Sequence, residues 1–444
     1  MRHESRQSGL LVPVSDRDPV VSNLARLFAV SLLLLVGVTW TLWTPQTVFP
    51  QIPLIRAACH CPGWCDWICL ATLVAASTTL LIIGRRGLAS RFASGGVAIS
   101  LLCFFIFDQH RLQPWAWQFF LLSVLLALAD DVTATRCWIW LTVSIYFWSA
   151  VSKFDYNFFH DQGPILVEGL KHAIGLRHAA NRWVESFDVG AAIVLAAGEM
   201  SVAVLLSFVR TRRIGVWLAV YMHVALLIAL GPLGLNHSWG VLLWNAFFAG
   251  QTWLLFRSAC EPRDSAAGSL TVKRTGSASR WGNRLATGVI LGAVLWPVLE
   301  PAGGCDHWLA WAVYSARAGQ LEILVESDEP LPDGPAEFDQ VIRTVNEQST
   351  VYYRAKVAGW SVKELGVPIY PQYRFQVAMG HYLTQRLQLD RVLVINQRRN
   401  RWNGQPSELQ VIHLQFHDDG NTREQPRVAD RFFWNTQSRL FQRD

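Results

Sequence analysis

Charge is scarce in this chain. Only 16% of its 444 residues are Asp, Glu, Lys or Arg, while 51% are hydrophobic, and that balance excludes an ordinary soluble protein. Several motif classes are missing as well. No Gly-rich nucleotide-binding loop, Ser-His-Asp set or HExxH helix is evident. Nothing points to nucleic-acid binding, and the pI near 9.0 is accounted for by basic loops. Arg26 and the first apolar run come late and no small-residue cleavage site stands out, so a cleaved signal peptide is not expected. What the chain does have is 21 Trp and 23 Phe, at positions that suggest helix ends at membrane–water interfaces.

The apolar residues are unevenly spread. Long hydrophobic runs continue to about Leu299, and after Pro301 the sequence turns polar and mixed. A span needs roughly 20 apolar residues, fewer where flanking side chains snorkel. The candidates are Leu24–Thr44, Trp67–Gly84, Ala93–Phe107, Trp115–Ala129, Cys137–Val151, Val189–Val209, Ile214–Leu230, Trp239–Phe256 and Leu285–Leu299. The expected architecture is an all-α polytopic membrane helix bundle of about nine spans, followed by a smaller soluble β-rich or α+β domain. Residues 1–23 form an N-terminal tail, 24–299 the transmembrane bundle and 300–444 the C-terminal domain.

Basic loops stay cytoplasmic. Arg85, Arg86 and Arg91 follow the second run, Arg210, Arg212 and Arg213 the sixth, and Arg257 to Arg284 the eighth. With nine spans all three loops fall on the side of the N-terminus, which carries Arg2, Arg6, Arg17 and Arg26. The expected location is therefore a cell membrane, multi-pass, with the N-terminus cytoplasmic and the C-terminal domain outside. Cys59, Cys61, Cys65 and Cys69 cluster in ACHCPGWCDWIC on or near the outer face, and Cys305 opens the outer domain. In an oxidising compartment Cys59, Cys61, Cys65 and Cys305 are candidates for disulfides, one of them tying the first loop to the C-terminal domain. Metal binding through His60 and these thiols is the sharper idea, but the spacing matches no standard zinc pattern and no metal is expected. Cys103, Cys137 and Cys260 read as structural.

Ionisable groups inside spans are costly and mark function. Glu199 sits mid-run in AAIVLAAGEMSVAVLLSFV, His223 in WLAVYMHVALLIAL and Asn245 in VLLWNAFFAG. Asp108, His110, Arg111 and Gln113 form the short turn FDQHRLQPWAW. Each has a plain alternative: Glu199 as a packing partner, His223 as an interhelical hydrogen bond, the 108–113 turn as solvated, Lys153 as a snorkelling anchor. A desolvated Lys153 would instead lose its proton more easily and serve as a general base, and a nearby Glu199 would oppose that by favouring the ammonium.

The run YFWSAVSKFDYNF, from Tyr146 to Phe158, resembles the aromatic–small–x–x–Lys–(Leu/Phe)–Asp pattern of vitamin K-dependent gamma-carboxylases and their bacterial relatives, the HTTM membrane proteins. The order continues with Glu199, the basic turn RTRRIG, the YMH at His223, and HWLAWAVYSARAGQLEILV, which looks like the opening of that family's β-rich domain. The similarity covers about residues 20–330. It implies a bacterial inner-membrane bundle that holds a reduced, vitamin K-like quinone near Asp108, His110, Gln113 and Asn245. Lys153 would be the base, with Glu199 and His223 around it in the catalytic set. It also implies quinol epoxidation coupled to carboxylation of a protein or peptide substrate on the outer face. The pattern departs from the family at one point. An Asn-His pair is expected at the start of Trp115–Ala129, where this chain reads RLQPWAWQ, with His110 a few residues earlier.

In the C-terminal part, RVLVINQRRN and LQVIHLQF alternate like strands of a half-exposed sheet, and helical spacing sets in from Arg374. Arg398, Arg399 and Arg401 beside Trp402 read as a solvated basic turn, with anion or lipid-headgroup binding as the alternative. Three functions remain open: the quinol-using carboxylase-like enzyme, a non-catalytic membrane module with a partner-binding outer domain, and a redox-associated membrane protein of the DoxX or MauE sort.

Overall fold

The computed structural model describes residues 19–176, 184–257, 280–315, 320–327, 331, 336–345, 348–389, 391–415 and 434–439. Cys260, one of the structural cysteines expected above, lies outside them. Apolar runs become helices in order: α1 Pro19–Val38, α2 Trp40–Trp43, α3 Trp64–Ile83, α4 Gly87–Phe107, α5 Pro114–Leu128, α6 Asp131–Lys153, α7 Gly163–Ala173, α8 Val184–Ser207, α9 Arg212–Leu230, α10 Trp239–Phe256 and α11 Arg280–Leu295. Local chemistry sets several ends. Pro114 opens α5, where a missing N–H costs nothing, and Asp130 accepts a hydrogen bond from the Thr133 amide as N-cap of α6.

Among the described residues, six helical segments are long and apolar enough to cross a membrane: Val20–Val38, Trp64–Ile83, Gly87–Phe107, Phe187–Ser207, Arg212–Leu230 and Arg280–Ala302. The other three expected spans fall short for two reasons. α5 has only 15 residues. α6 and α10 are long, but they carry polar residues, among them Ser149, Lys153, Asn245, Gln251 and Thr252, all buried inside the bundle.

The connections sort to two ends of the bundle. At one, Arg85 after α3 donates to Asp131 and to the Leu126 and Ala129 carbonyls, while Asn283 of α11 donates to Asp130 at 2.6 Å. At the other, the C-terminal domain packs. There Gln109 donates to the Asn435 carbonyl at 2.7 Å, and Arg439 donates to Asp66, which also receives Arg111. A buried carboxylate shared by two guanidinium groups is a paired charge, so its desolvation is offset.

The domain is α+β. β1 Gln320–Glu326, β2 Phe338–Val345, β3 Gln348–Ala355, β4 Val392–Arg399 and β5 Pro406–Leu414 form one antiparallel sheet in the order β2-β3-β1-β4-β5. α12 Val357–Leu365 touches α2, and α13 Tyr373–Leu387 packs on β4, β1 and β5. The β4–β5 turn reaches down to the bundle. Gly404 takes φ +68°, and a Cβ there would lie 2.4 Å from the Tyr156 ring, so only glycine fits this approach. Arg401 donates to the Val151 carbonyl at 2.9 Å and to the Phe154 carbonyl at 3.1 Å. These carbonyls belong to the end of α6, where helix geometry leaves no partner, so the guanidinium acts as an external C-cap. The basic turn expected to be solvated is thus, at Arg401, a tertiary contact.

Candidate functional site

Tyr146, Ser149 and Lys153 are spaced three and four apart on α6 and share one face. That face meets α8, α9 and α10 around a small cavity of about 90 Å³ that is partly open to the exterior. Lys153, Glu199, His223 and Asn245, four residues singled out in the sequence, all line it. The walls are apolar and aromatic, with Trp244 and Phe248 from α10 and Trp311 and Tyr314 from the segment after α11.

The Lys153 amine sits 2.6 Å from Glu199 Oε2 and donates to Ser149 Oγ, also at 2.6 Å. Both charged side chains are mostly out of solvent, at 10% and 15% exposure. In such surroundings the pair attracts far more strongly than at a surface, and neither partner is easily lost alone.

A second polar chain runs beside it. Asn245 Nδ2 donates to the Val241 carbonyl at 2.9 Å, which turns its Oδ1 toward His223 Nδ1, also 2.9 Å away. An acceptor at Nδ1 fixes the proton there and leaves Nε2 to accept. Tyr146 OH lies 2.8 Å from that Nε2 and 3.1 Å from Thr252 Oγ1. The direction follows: Thr252 donates to Tyr146, Tyr146 donates to His223, and His223 donates to Asn245. Behind this chain, Trp244 Nε1 donates to Gln118 at 2.7 Å, and Gln118 and Trp138 both donate to Gln251 Oε1.

Trp311 and Tyr314 hold φ of +61° and +59°, a conformation large side chains rarely adopt. Backbone of this kind costs about 1–3 kcal/mol per residue and persists only where packing over-determines it. Here both rings are driven into the cavity wall.

Asp108, His110 and Gln113 lie elsewhere. They do not line the cavity; the 108–113 turn is buried beneath the C-terminal domain. His110 Nε2 is 3.0 Å from the Pro368 carbonyl and 3.2 Å from Ser361 Oγ, and Gln113 donates to the His110 carbonyl at 2.9 Å. Asp108 Oδ1 accepts from the His110 and Ile52 amides. Burial pushes the Asp108 carboxyl up to about 6 and the His110 imidazole down to about 4. The turn that reads as solvated is a buried joint between bundle and domain.

The described cysteines are all free thiols. The expected tie between the first loop and Cys305 is not formed; Cys59 instead meets Asn435 at 3.5 Å, and Cys305 donates to the neighbouring Asp306 carbonyl. Burial pushes the Cys305 thiol up to about 12. Among the described residues, no group of three or more His, Cys, Asp or Glu is placed to hold a metal ion.

Tyr146, Ser149, Thr252 and Tyr314 were missed as site residues. The first two were findable, since they repeat at helical spacing with Lys153. Tyr314 comes from far along the chain, and no local signal places it. Comparison with family models, with curated proteins and with solved structures finds no match for this chain.

Proposed function

We propose that this is a multi-pass protein of about nine spans in a cell membrane, with a quinol-using, carboxylase-like site built around Lys153. The observation that carries the reading is an amine held inside an apolar, aromatic-walled cavity beside Tyr146, His223 and Asn245; the Glu199 carboxylate 2.6 Å away favours its ammonium form, so base chemistry requires that proton to pass to Glu199 first. The span count is supported by the sorting of connections. The α3–α4 and α5–α6 turns meet at one end of the bundle, and the α4–α5 turn and the end of α6 meet the domain at the other. Basic residues Arg85, Arg86 and Arg91 then mark the cytoplasmic end.

The cavity suits a reduced quinone in its chemistry: flat apolar walls at Trp244, Phe248 and Tyr314, and polar atoms gathered on Tyr146, Lys153, His223 and Asn245. Bound there, such a quinol would supply an oxidisable hydroxyl and the reducing electrons. The chain's own residues would do the rest. Glu199 holds the Lys153 proton, Lys153 Nζ receives one from an acidic hydroxyl, and His223 in its Nδ1–H form presents Tyr146 OH at a fixed angle. Trp311 and Tyr314 keep water from the amine. A protein or peptide substrate would meet the site from the domain side.

The same 2.6 Å pair favours a second reading, in which Lys153 and Glu199 only lock α6 to α8. One experiment separates the two. Purified protein in lipid is given reduced naphthoquinones and benzoquinones with oxygen and bicarbonate, and quinone epoxide is followed by mass. The enzyme reading expects epoxide from the wild type and none from Lys153→Ala or Lys153→Arg, since arginine cannot supply a neutral amine. Epoxide formed equally by both variants removes Lys153 as the base. A folded wild type that makes none with either quinone class favours the lock.

A further inference from the structure

α8 and α9 are both long and apolar enough to cross a membrane, and with α7 they enclose a second, wider groove of about 1150 Å³ that opens outward. Small residues make the room. Gly190 and Gly198 of α8 line it, and a Cβ on either would meet nothing within 4 Å. Exposed apolar side chains, Val194 and Tyr221, stand on its sides. From Asp188 to Gly198 the groove follows α8 for ten residues. At about 1.5 Å per residue that is about 15 Å, half of a hydrocarbon core about 30 Å thick. One end is polar. There Lys171 of α7 and Asp188 of α8, both buried, meet with Nζ 2.9 Å and 3.0 Å from the two carboxylate oxygens. Glu168 Oε2 lies 3.1 Å from the same nitrogen, with its side chain 55% exposed. This end faces the C-terminal domain: α9 closes there, and His237 just beyond it lies 3.4 Å from Tyr314 OH. Leu166, Leu195, Met222 and Leu226 line both this groove and the cavity around Lys153, so the two spaces share a wall.

We propose that the α7–α8–α9 groove holds one hydrocarbon chain of a phosphatidylethanolamine from the domain-side leaflet, with the lipid's ammonium group resting against Glu168 and Asp188. The inference does not rest on the quinol reading. The apolar walls and the one-leaflet length fit a single chain whose head stays at the membrane surface. The polar end selects the head. A lysine has three N–H donors, and the three carboxylate oxygens around Lys171 Nζ engage them all, so a phosphate finds no free donor there. Among the described residues, two carboxylates against one ammonium leave one surplus negative charge at this end. That surplus attracts a cationic head and repels an anionic one, and the half-exposed Glu168 is the carboxylate within its reach. A chain seated in the groove packs behind the wall that the groove shares with the Lys153 cavity.

The test uses full-length protein in phosphatidylglycerol bilayers doped with a trace of photoactivatable lipid. The probe is a phosphatidylethanolamine or a phosphatidylglycerol carrying the same mid-chain diazirine. After illumination, trypsin leaves α8 in peptide 183–210 and α9 in peptide 214–257, and labelled positions are read by fragmentation. Ile193 and Val204 of α8 are exposed but do not line the groove, so they report the surrounding lipid alone. Relative to them, the ethanolamine probe should label the positions around Val194, Gly198 and Tyr221 at least about threefold more than the glycerol probe, the scale of a half-exposed ion pair. Glu168→Gln should bring that ratio close to one. Gly198→Phe fills the groove and should lower its labelling while Ile193 is labelled as before. Equal groove labelling by the two probes in the wild type overturns the proposal. An excess of the glycerol probe does the same, as does groove labelling no denser than at Ile193 and Val204. These outcomes are read on the wild type, so a variant that fails to fold leaves the test intact.

Discussion

Replacing Lys153 by Met leaves the Glu199 carboxylate alone in the bundle, and the size of that defect can be worked out. At 2.6 Å and an effective dielectric of about 20, the gross attraction is about 6 kcal/mol. Desolvation of both groups offsets part of this, so the net cost of removing one partner from a buried pair is about 3–5 kcal/mol. Ser149 Oγ, also 2.6 Å from the amine, loses its partner as well and adds about 1 kcal/mol. Glu199→Leu should cost a similar amount, because it strands the ammonium. The double change Lys153→Met with Glu199→Leu should return to within about 1 kcal/mol of wild type, since neither charge is then left unpaired. The assay is equilibrium unfolding in mixed micelles, followed by tryptophan emission, on all four corners of the cycle. Single changes that each cost under about 1 kcal/mol and simply add would refute the reasoning: the charges would then be screened by water through the cavity mouth.

Two further outcomes are expected. Arg401→Ala should uncap the end of α6 and cost about 2 kcal/mol, as two carbonyls lose a charged donor, and hydrogen exchange of amides 151–157 should accelerate while the far end of α6 is unchanged. His381, buried in α13 with neither ring nitrogen bonded, is pushed by burial down to about 4. The unfolded chain then takes up this proton first, near pH 6.5, so stability falls as pH drops from about 6.5 to 4, by on the order of 3 kcal/mol. His110 acts in the same direction, while Asp108, pushed up to about 6, acts oppositely by losing stability as pH rises through about 4 to 6. Those two nearly cancel, while the buried His223 and half-buried His237 imidazoles add to the slope that His381 sets. His381→Leu should therefore make the fall of the melting temperature between about pH 7 and 4.5 shallower without abolishing it; an unchanged slope would assign the acid sensitivity to other groups.

The helices were readable because a membrane-scale apolar run leaves few alternatives. The convergence of Lys153, Glu199, His223 and Asn245 was readable too, since an isolated polar residue in such a run must find a polar partner. What escaped notice has physical reasons. Tyr146 sits in an aromatic-rich run where tyrosine is ordinary, and only its spacing to Lys153 betrays it. Asp108 and His110 stand in a turn with every sign of solvation, and nothing local reveals that a domain more than 200 residues away covers them. Arg401 misled in the same way, because a charged hairpin turn gives no hint of a helix end waiting beneath it. The limit on span counting is instructive for another reason: some of the side chains that make α6 and α10 less apolar, Ser149, Lys153 and Asn245, are ones that line the cavity.

The Arg401 contact has a mechanical meaning. Lys153 rides on α6, whose end is gripped by the β4–β5 hairpin, whereas Glu199 rides on α8, which the hairpin does not grip. Among the described residues β5 is the outermost strand of its sheet. The hairpin that ends in β5 thus joins the sheet directly to the Val151 and Phe154 carbonyls. The position of the Lys153 end of α6 is therefore held by the sheet as well as by the bundle, whereas Glu199 on α8 is placed by helix packing.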